Sequence, residues 1–501
     1  MDPFVWVILA SALLLRLLLL VLGVHFDAGV LQWRRASQDQ WQLLDLQLLR
    51  HDPIGSVWSL HSQPPLYNLG MGMLLQLPGS LQVAVAGILW TLCYLVIGVA
   101  SYLSMTLLRV PRGLALGLVL LLVVFDPAQI LFANWLMYVA PTAALVTLTA
   151  YLGLRASISP TIAGVASFAS AGALLALTNS SFQPLELLVL LGVLLLCLRR
   201  QWRPILLGAL APLLLLALWS LHLAISFGSP ATSSWLGMNF ARATVFAAPP
   251  PLITTMVRDH QLAPLAETRP FAPLWAVHVA PNHDGAKALS QVSKANGQPN
   301  YNNRAYIGLS RRWLVQDEHF VADAPSRYLR QVGRAVRMWF LPTDQYFGIQ
   351  QVQHGSVGSY VDAYDHVVLL QAKRDPTAIG SDVFFRVGPT PSELSITAIV
   401  EWIAAILGFP VLVALWWRRR HGLATGVLLM GLMALAWFAT ASLVENAENN
   451  RFRFEVGTIP LILAAAALSA ALRALRHQRP SSTVAAQPTV EPPTLAVGCM
   501  S

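Results

Sequence analysis

Charge is scarce in this sequence: Asp, Glu, Lys and Arg make up 11% of 501 residues, against 55% from the hydrophobic types. A soluble domain carries about 25% charged residues. The composition therefore excludes an ordinary soluble domain and, with a mean hydropathy of +0.57, points to a polytopic membrane protein. Cysteine is scarcer still. Of the three, Cys93 and Cys197 fall in apolar runs and Cys499 in the tail, so none has disulfide or metal-ligand spacing. Lys and Arg exceed Asp and Glu by 33 to 24, but they sit in short clusters beside apolar runs, where they act as topology signals. Nucleic acid is not an expected partner. The large polar segment contains no Walker loop, HExxH or GxSxG, and no fixed-period repeat runs through the chain.

What is present is a series of apolar runs. The first, "FVWVILASALLLRLLLLVLGV", lacks a basic leader and a small-residue cleavage site, and is read as a retained helix. Further apolar runs read as crossings of a hydrocarbon core of about 30 Å lie near 82–107, 113–125, 135–154, 160–178, 185–198, 205–226, 394–417, 423–444 and 457–474, with 113–125 and 185–198 the shortest. The expected architecture is all-α with about ten transmembrane helices and a large exoplasmic loop between helices seven and eight. Residues 1–226 form an N-terminal membrane module, 227–393 the loop domain, 394–476 the last helices, and 477–501 a disordered cytoplasmic tail.

If each run spans once, the clusters Arg109 and Arg112, Arg155, Arg199 to Arg203, Arg418 to Arg420, and Arg473 and Arg476 share one side. That side is expected to be the cytoplasm, with both termini on it. Arg34, Arg35 and Arg50 then fall outside, a mild violation that a folded first loop tolerates. "PPLYNLGMGMLLQLPG" is too short to span and reads as a juxtamembrane helix over 64–79 after a first outer loop over 25–63. In "SRYLRQVGRAVRMWF", Arg327, Arg330, Arg334 and Arg337 share one helical stripe, which gives an amphipathic helix of interfacial type.

With carboxylates so rare, each one near an outer helix mouth is informative. A carboxylate at a membrane surface beside an apolar wall suits general-base work. Asp27 and Asp45 are candidate bases as well as ordinary loop acids; Asp39 and Asp52 read as solvated. In "HSQPPLYN", His61, Gln63, Tyr67 and Asn68 put four hydrogen-bonding groups within two turns, able to hold sugar hydroxyls or a neighbouring carboxylate, or else to satisfy a helix N-terminus. In "FDPAQILFANWLMYVAP", Asp126 and Asn134 are candidate substrate contacts, while Trp135 and Tyr138 read as interfacial anchors. Arg451 and Arg453 of "ENNRFRFE" suit a lipid-linked phosphate, or else pair with Glu445, Glu448 or Glu455. Arg16, mid-helix in the first span, needs a partner in the bundle or must snorkel.

With these residues assembled, the chain resembles the GT-C superfamily of integral-membrane glycosyltransferases, in particular the bacterial branch related to protein mannosyltransferases and aminoarabinose transferases. The resemblance is carried by "FDAGVLQ", "LLDLQLLRHDPIGSVWSLHSQPPLYN", "NWLMYVAPTAAL", "SSWLGMNFAR", "YNNRAYIGLSRRWL" and "ENNRFRFEV", and covers nearly all of the chain but the tail. It implies a polyprenyl-phosphate sugar donor, a glycan, lipid or protein acceptor, and an outer-loop acid acting as base in an inverting transfer. Asp27 matches that base best by position, with Asp45 in reserve; Arg451 and Arg453 match the basic residues that steady the departing phosphate. Use of a divalent cation varies in the superfamily and is left open. Relatives often carry an acid immediately before "NW", where this chain has Ala133, so Asp126 either substitutes or that function is gone. A flippase for a lipid-linked sugar and an inactive relative serving in assembly are the competing readings.

Overall fold

The computed structural model describes residues 2–32, 40–346, 349, 354–373 and 388–478. Asp39, Arg34, Arg35 and the tail from 479 onward lie outside them. Within them the chain is helical, and the only extended pairings are two isolated bridges, Asp27 with Trp135 and Ser293 with Pro299.

The N-terminal part runs α1 (Pro3–Val21), α2 (Leu46–His51), α3 (Pro53–Trp58), α4 (Pro65–Leu74), α5 (Gly79–Leu107), α6 (Arg112–Val119), α7 (Pro127–Ala133), α8 (Val139–Ile158), α9 (Ile162–Ala176), α10 (Pro184–Cys197) and α11 (Trp202–Phe227). The loop domain holds α12 (Leu236–Ala243), α13 (Pro250–Arg258), α14 (Ala305–Asp323), α15 (Pro325–Trp339) and α16 (His354–Val367). The chain returns through α17 (Ile396–Trp417), α18 (His421–Val444), the short α19 (Asn449–Val456) and α20 (Thr458–Gln478).

Every expected apolar run is helical. Among the described residues seven helices are long and apolar enough to cross a membrane: α1, α5, α8, α11, α17, α18 and α20. The run at 113–125 is one arm of a helix pair, Arg112–Val124 and Pro127–Ala133, bent by 56°. The shorter α9 and α10 are apolar but below span length, so seven helices, or eight with the bent pair as one span, reach that length among the described residues where about ten were expected. Local chemistry sets the ends. Asp2 accepts the Phe4 N–H at 3.1 Å with Pro3 at the first helical position of α1. Gly228 closes α11 at φ 71°, a left-handed conformation suited to glycine. The helix expected from residue 135 begins at Val139 instead, because Trp135 and Leu136 are drawn into extended pairing with Asp27.

Bundle packing centres on α8, which touches α5, α9 and α18, while α17 packs on both α18 and α20. Small residues permit the closest approaches: a Cβ added at Gly208 of α11 would lie 2.6 Å from the Ile162 carbonyl oxygen at the start of α9. The loop domain has its own core around Trp235, Met238, Phe271, Trp313 and Phe320. There α12 lies so tightly on α14 that any side chain at Gly237 would fall onto the Ser310 carbonyl. The loop domain sits on the bundle through α12 and α15 against α18, and α15 against α19.

Two buried polar devices answer questions raised by the sequence. Arg16 finds its partner in the bundle: Nη2 donates to Thr91 Oγ1 at 3.0 Å. The bend before Asp126 follows a π-helical turn, Leu120–Val124, whose freed carbonyls are met by phenols. Tyr94 donates to Val124 O at 2.5 Å, Tyr364 to Leu121 O at 2.8 Å, and Tyr360 to Phe125 O. In an apolar layer such carbonyls must be satisfied from within the protein.

Candidate functional site

The acidic side of the site starts at the end of α1. The Asp27 N–H donates to Asn134 O at 2.6 Å, and the Leu136 N–H donates to Asp27 O at 3.0 Å. This pairing lays the first loop along the segment that leads into α8. Asp27 Oδ1 accepts the Gly29 N–H at 2.7 Å, a turn that fixes the carboxylate's orientation. Oδ2 has no partner among the described residues, and the side chain is half-buried.

The polar residues of "HSQPPLYN" hold the surroundings in place. Tyr67 donates to Gln40 Oε1 at 2.7 Å, and Gln40 Nε2 donates to Leu136 O at 2.8 Å. Asn68 is fully buried, accepting from Leu44 N at 2.8 Å and donating to Gln42 O at 3.0 Å. The two prolines start α4, and its exposed Leu66 N–H is met by Leu177 O at 2.8 Å.

His61 works away from the acid that the sequence suggested it might support. It makes no hydrogen bond to Asp27 or Asp45. Its Nε2 donates to Asn302 O at 2.9 Å and its Nδ1 meets Ser234 Oγ at 2.7 Å. A carbonyl only accepts, so Nε2 carries the proton and Nδ1 accepts from the serine. Burial holds the ring neutral, pushing its pKa down to about 4. Asn302 in turn accepts from the His61 and Ser62 N–H groups and donates to Ser59 O at 3.0 Å. His61 is thus a clasp between first loop and loop domain, on the wall of a cavity of about 230 Å³ shared with Phe227, Ser233, Ser234 and Arg311. Gln63 is buried beside it and is hydrogen-bonded to none of the described residues.

Asp45 is fastened on both oxygens. Oδ1 caps α2 through the Gln47 N–H at 2.7 Å, and Oδ2 accepts from Ala295 N at 2.7 Å and Gln291 Nε2 at 3.0 Å. Asp52 caps α3 through the Gly55 N–H at 2.9 Å in an exposed position. Of the first-loop acids described, Asp27 and Asp52 each keep one oxygen without a described partner, and of these Asp27 is half-buried while Asp52 is exposed.

The basic side of the site is more enclosed than the sequence suggests. Arg451 is 3% exposed and pairs with Glu448 at 2.9 Å and Glu455 at 3.1 Å. Its Nη1 also donates to Tyr138 OH at 3.0 Å. Tyr138, expected above to be an interfacial anchor, is instead buried, where its hydroxyl supplies Arg451 with a partner inside the protein. Arg242 of α12 joins from the loop domain, 2.9 Å from Glu445 and 3.0 Å from Glu448. Asn179 donates to Glu455 at 3.1 Å, and Tyr346 to Glu448 at 3.3 Å.

Three buried glutamates face two arginines, so burial and the guanidinium charges pull each carboxyl in opposite directions. Glu448, between both guanidinium groups, is held below its ordinary value by Arg451 and Arg242 in spite of burial. Burial raises Glu445 against the pull of Arg242, and raises Glu455 to about 8 against the pull of Arg451.

Arg453 points elsewhere. Two residues on from Arg451 is roughly 200° around a helix. Its Nη2 donates to Leu341 O at 2.7 Å, and it borders a cavity of about 60 Å³ with Asp126, Gln129, Thr343, Tyr364 and Glu401. That volume suits water; small-molecule sites run to roughly 300–1,000 Å³. Asp126 caps α7 through the Ala128 N–H at 2.9 Å, and Asn134 Nδ2 donates to Ile130 O at 3.0 Å.

Sequence reading overlooked Arg242 and Glu401. A lone glutamate inside the apolar run 394–417 is a visible signal of an interior polar site, whereas Arg242 closes the segment "SSWLGMNFAR" with no local sign of its ion pairs. Among the described residues no group of three or more His, Cys, Asp or Glu side chains is arranged to hold a metal ion.

Comparison with known proteins yields little. No family model matches the chain, and no curated protein does. A crystal structure of ArnT from Cupriavidus metallidurans in the apo state aligns over 89% of this chain and 78% of its own, at 15% identity and a TM-score of 0.25. A likeness of that TM-score leaves both fold family and activity open.

Proposed function

We propose that the chain is a membrane glycosyltransferase of the GT-C kind. In this reading it moves a sugar from a polyprenyl-phosphate donor to a glycan, lipid or protein hydroxyl on the exoplasmic face of the cell membrane, with inversion. The observation that carries the reading is the Asp27 carboxylate, one oxygen held by Gly29 and the other without a partner among the described residues, at the mouth of α1. Oδ2 takes the proton of the acceptor hydroxyl as that oxygen attacks the anomeric carbon. The bond from sugar to phosphate breaks on the opposite face, and polyprenyl phosphate leaves with the electron pair.

Arg451 and Arg453 are the proposed phosphate partners. For Arg451 the support is electrostatic. Arg242 and Arg451 converge on the single carboxylate of Glu448, so two guanidinium groups stand together where an incoming phosphate would find charge-assisted donors. Arg453 already faces the carboxyls of Glu401 and Asp126 around a cavity of about 60 Å³, which makes it the weaker of the two. Asn68, His61, Gln63, Asp126 and Asn134 then act chiefly by shaping the loops around Asp27.

The test is release of free polyprenyl phosphate from a panel of polyprenyl-phosphate sugars by reconstituted wild type and Asp27→Asn. Release that vanishes in the variant while lipid binding persists supports the transferase and its base. A second reading, a transporter for a lipid-linked sugar, is favoured by the span broken by 56° beside Asp126, with Glu401 and Arg453 on the same buried cavity. Movement of the sugar lipid across a vesicle membrane with no bond broken would select it.

A further inference from the structure

The arginine stripe of α15 takes no part in the site above. Arg327 and Arg330 are exposed, and Arg334 and Arg337 half-buried. None forms an ion pair with a described residue; the one hydrogen bond is from Arg334 Nη2 to Ala247 O at 3.5 Å. Burial, then the like charges of Arg337 and Arg330, lower the Arg334 pKa. Folding thus gathers four cations over about 15 Å of helix with no ion-pair partner among the described residues.

The helix packs against the ends of two span-length helices. Near its start Tyr328 OH donates to Leu443 O at 2.9 Å, at the end of α18. At its end the Trp339 ring packs 5.2 Å from Trp402 and 5.1 Å from Phe438, within α17 and α18. About 16 Å of helix therefore descends only about 7.5 Å along α18, so α15 runs obliquely across the end of the bundle. Gln331, Ala335, Met338 and Trp339 are buried. On the flank away from the arginines Leu329 is 65% exposed, with Val332 and Val336 half-buried.

The geometry points to α15 as a binding helix for anionic phospholipid headgroups in the leaflet on the loop-domain side. Leu329, Val332 and Val336 meet the acyl boundary, and the four guanidinium groups meet the phosphates. A soluble acidic glycan would satisfy the arginines but leave Leu329 in water, so the lipid surface is the better fit. The inference holds whether or not the chain transfers sugar.

Native mass spectrometry of the full chain in neutral detergent, titrated with dioleoyl phosphatidylglycerol or dioleoyl phosphatidylcholine, tests it. Wild type is expected to favour phosphatidylglycerol about tenfold or more, and Arg330→Gln to lower that preference about fivefold, the scale of one cation near an anionic surface. The four Arg→Gln changes together should abolish the preference and four Arg→Lys changes keep it. Leu329→Ser should weaken both lipids alike. Equal binding of the two lipids by wild type, or a preference that survives four glutamines, overturns the proposal. Tighter binding of a soluble acidic oligosaccharide than of phosphatidylglycerol, lost with the four glutamines, assigns the stripe to a glycan and overturns it equally.

Discussion

The Asp27 backbone and the Asn134 carbonyl are joined by a hydrogen bond of 2.6 Å, so the acid at the mouth of α1 is held by the segment that enters α8. In Asp27→Asn the amide oxygen can still accept from Gly29, while the proton acceptor is gone. Stability is expected to change by no more than about 0.5 kcal/mol, and polyprenyl-phosphate release to fall about 10²–10⁴-fold. Parallel thermal melts and turnover assays check the two halves.

Glu448 bridges Arg242 of the loop domain and Arg451 of α19. Removing its charge by Glu448→Gln leaves two buried guanidinium groups short of a partner, which costs about 3–5 kcal/mol for a buried pair. The thermal midpoint in detergent should drop sharply. The double variant Arg242→Met with Glu448→Gln should recover part of the loss, since it deletes a cation along with the anion.

Asp317 is fully buried in α14, with Thr244 Oγ1 on Oδ1 at 2.5 Å and Oδ2 without a hydrogen bond. Burial lifts its pKa from 3.8 to about 8, outweighing the Thr244 bond. A carboxyl raised on folding stabilises in its protonated form, so its contribution is complete below about pH 4 and lost as pH rises through about 8. Loop-domain unfolding, followed by proteolysis between 227 and 346, should become easier across that window. Asp317→Asn should flatten the profile.

His61 works in the opposite sense. Its pKa is depressed from 6.5 to about 4, so its contribution is complete above about pH 6.5 and lost as pH falls toward 4. His61→Ala is expected to loosen the loop domain from the first loop and lower turnover, with membrane insertion unchanged. Turnover at wild-type level and an unaltered protease pattern would refute the clasp.

The helices were legible because an apolar run of span length has few alternatives. What the runs do not encode is side-chain direction after the chain closes. Arg451 and Arg453 look like a pair in "ENNRFRFE", yet helical geometry sends one to Tyr138 and the other to the Asp126 cavity. Asp45 reads as a loop acid until residues Gln291 and Ala295 arrive from the loop domain. Asp27 could be singled out by position alone, since its neighbours supply only backbone.

The phenols at the π-helical turn carry a consequence for how the protein is made. Tyr94 precedes residues 120–125 in the chain, but Tyr360 and Tyr364 follow by more than two hundred positions. A ribosome working at about 5–20 residues per second therefore leaves the Phe125 and Leu121 carbonyls without their hydroxyls for roughly ten seconds or longer. During that interval Tyr94 is the one phenol of the three available to the turn, and the other two bonds can form only once the loop domain has been made.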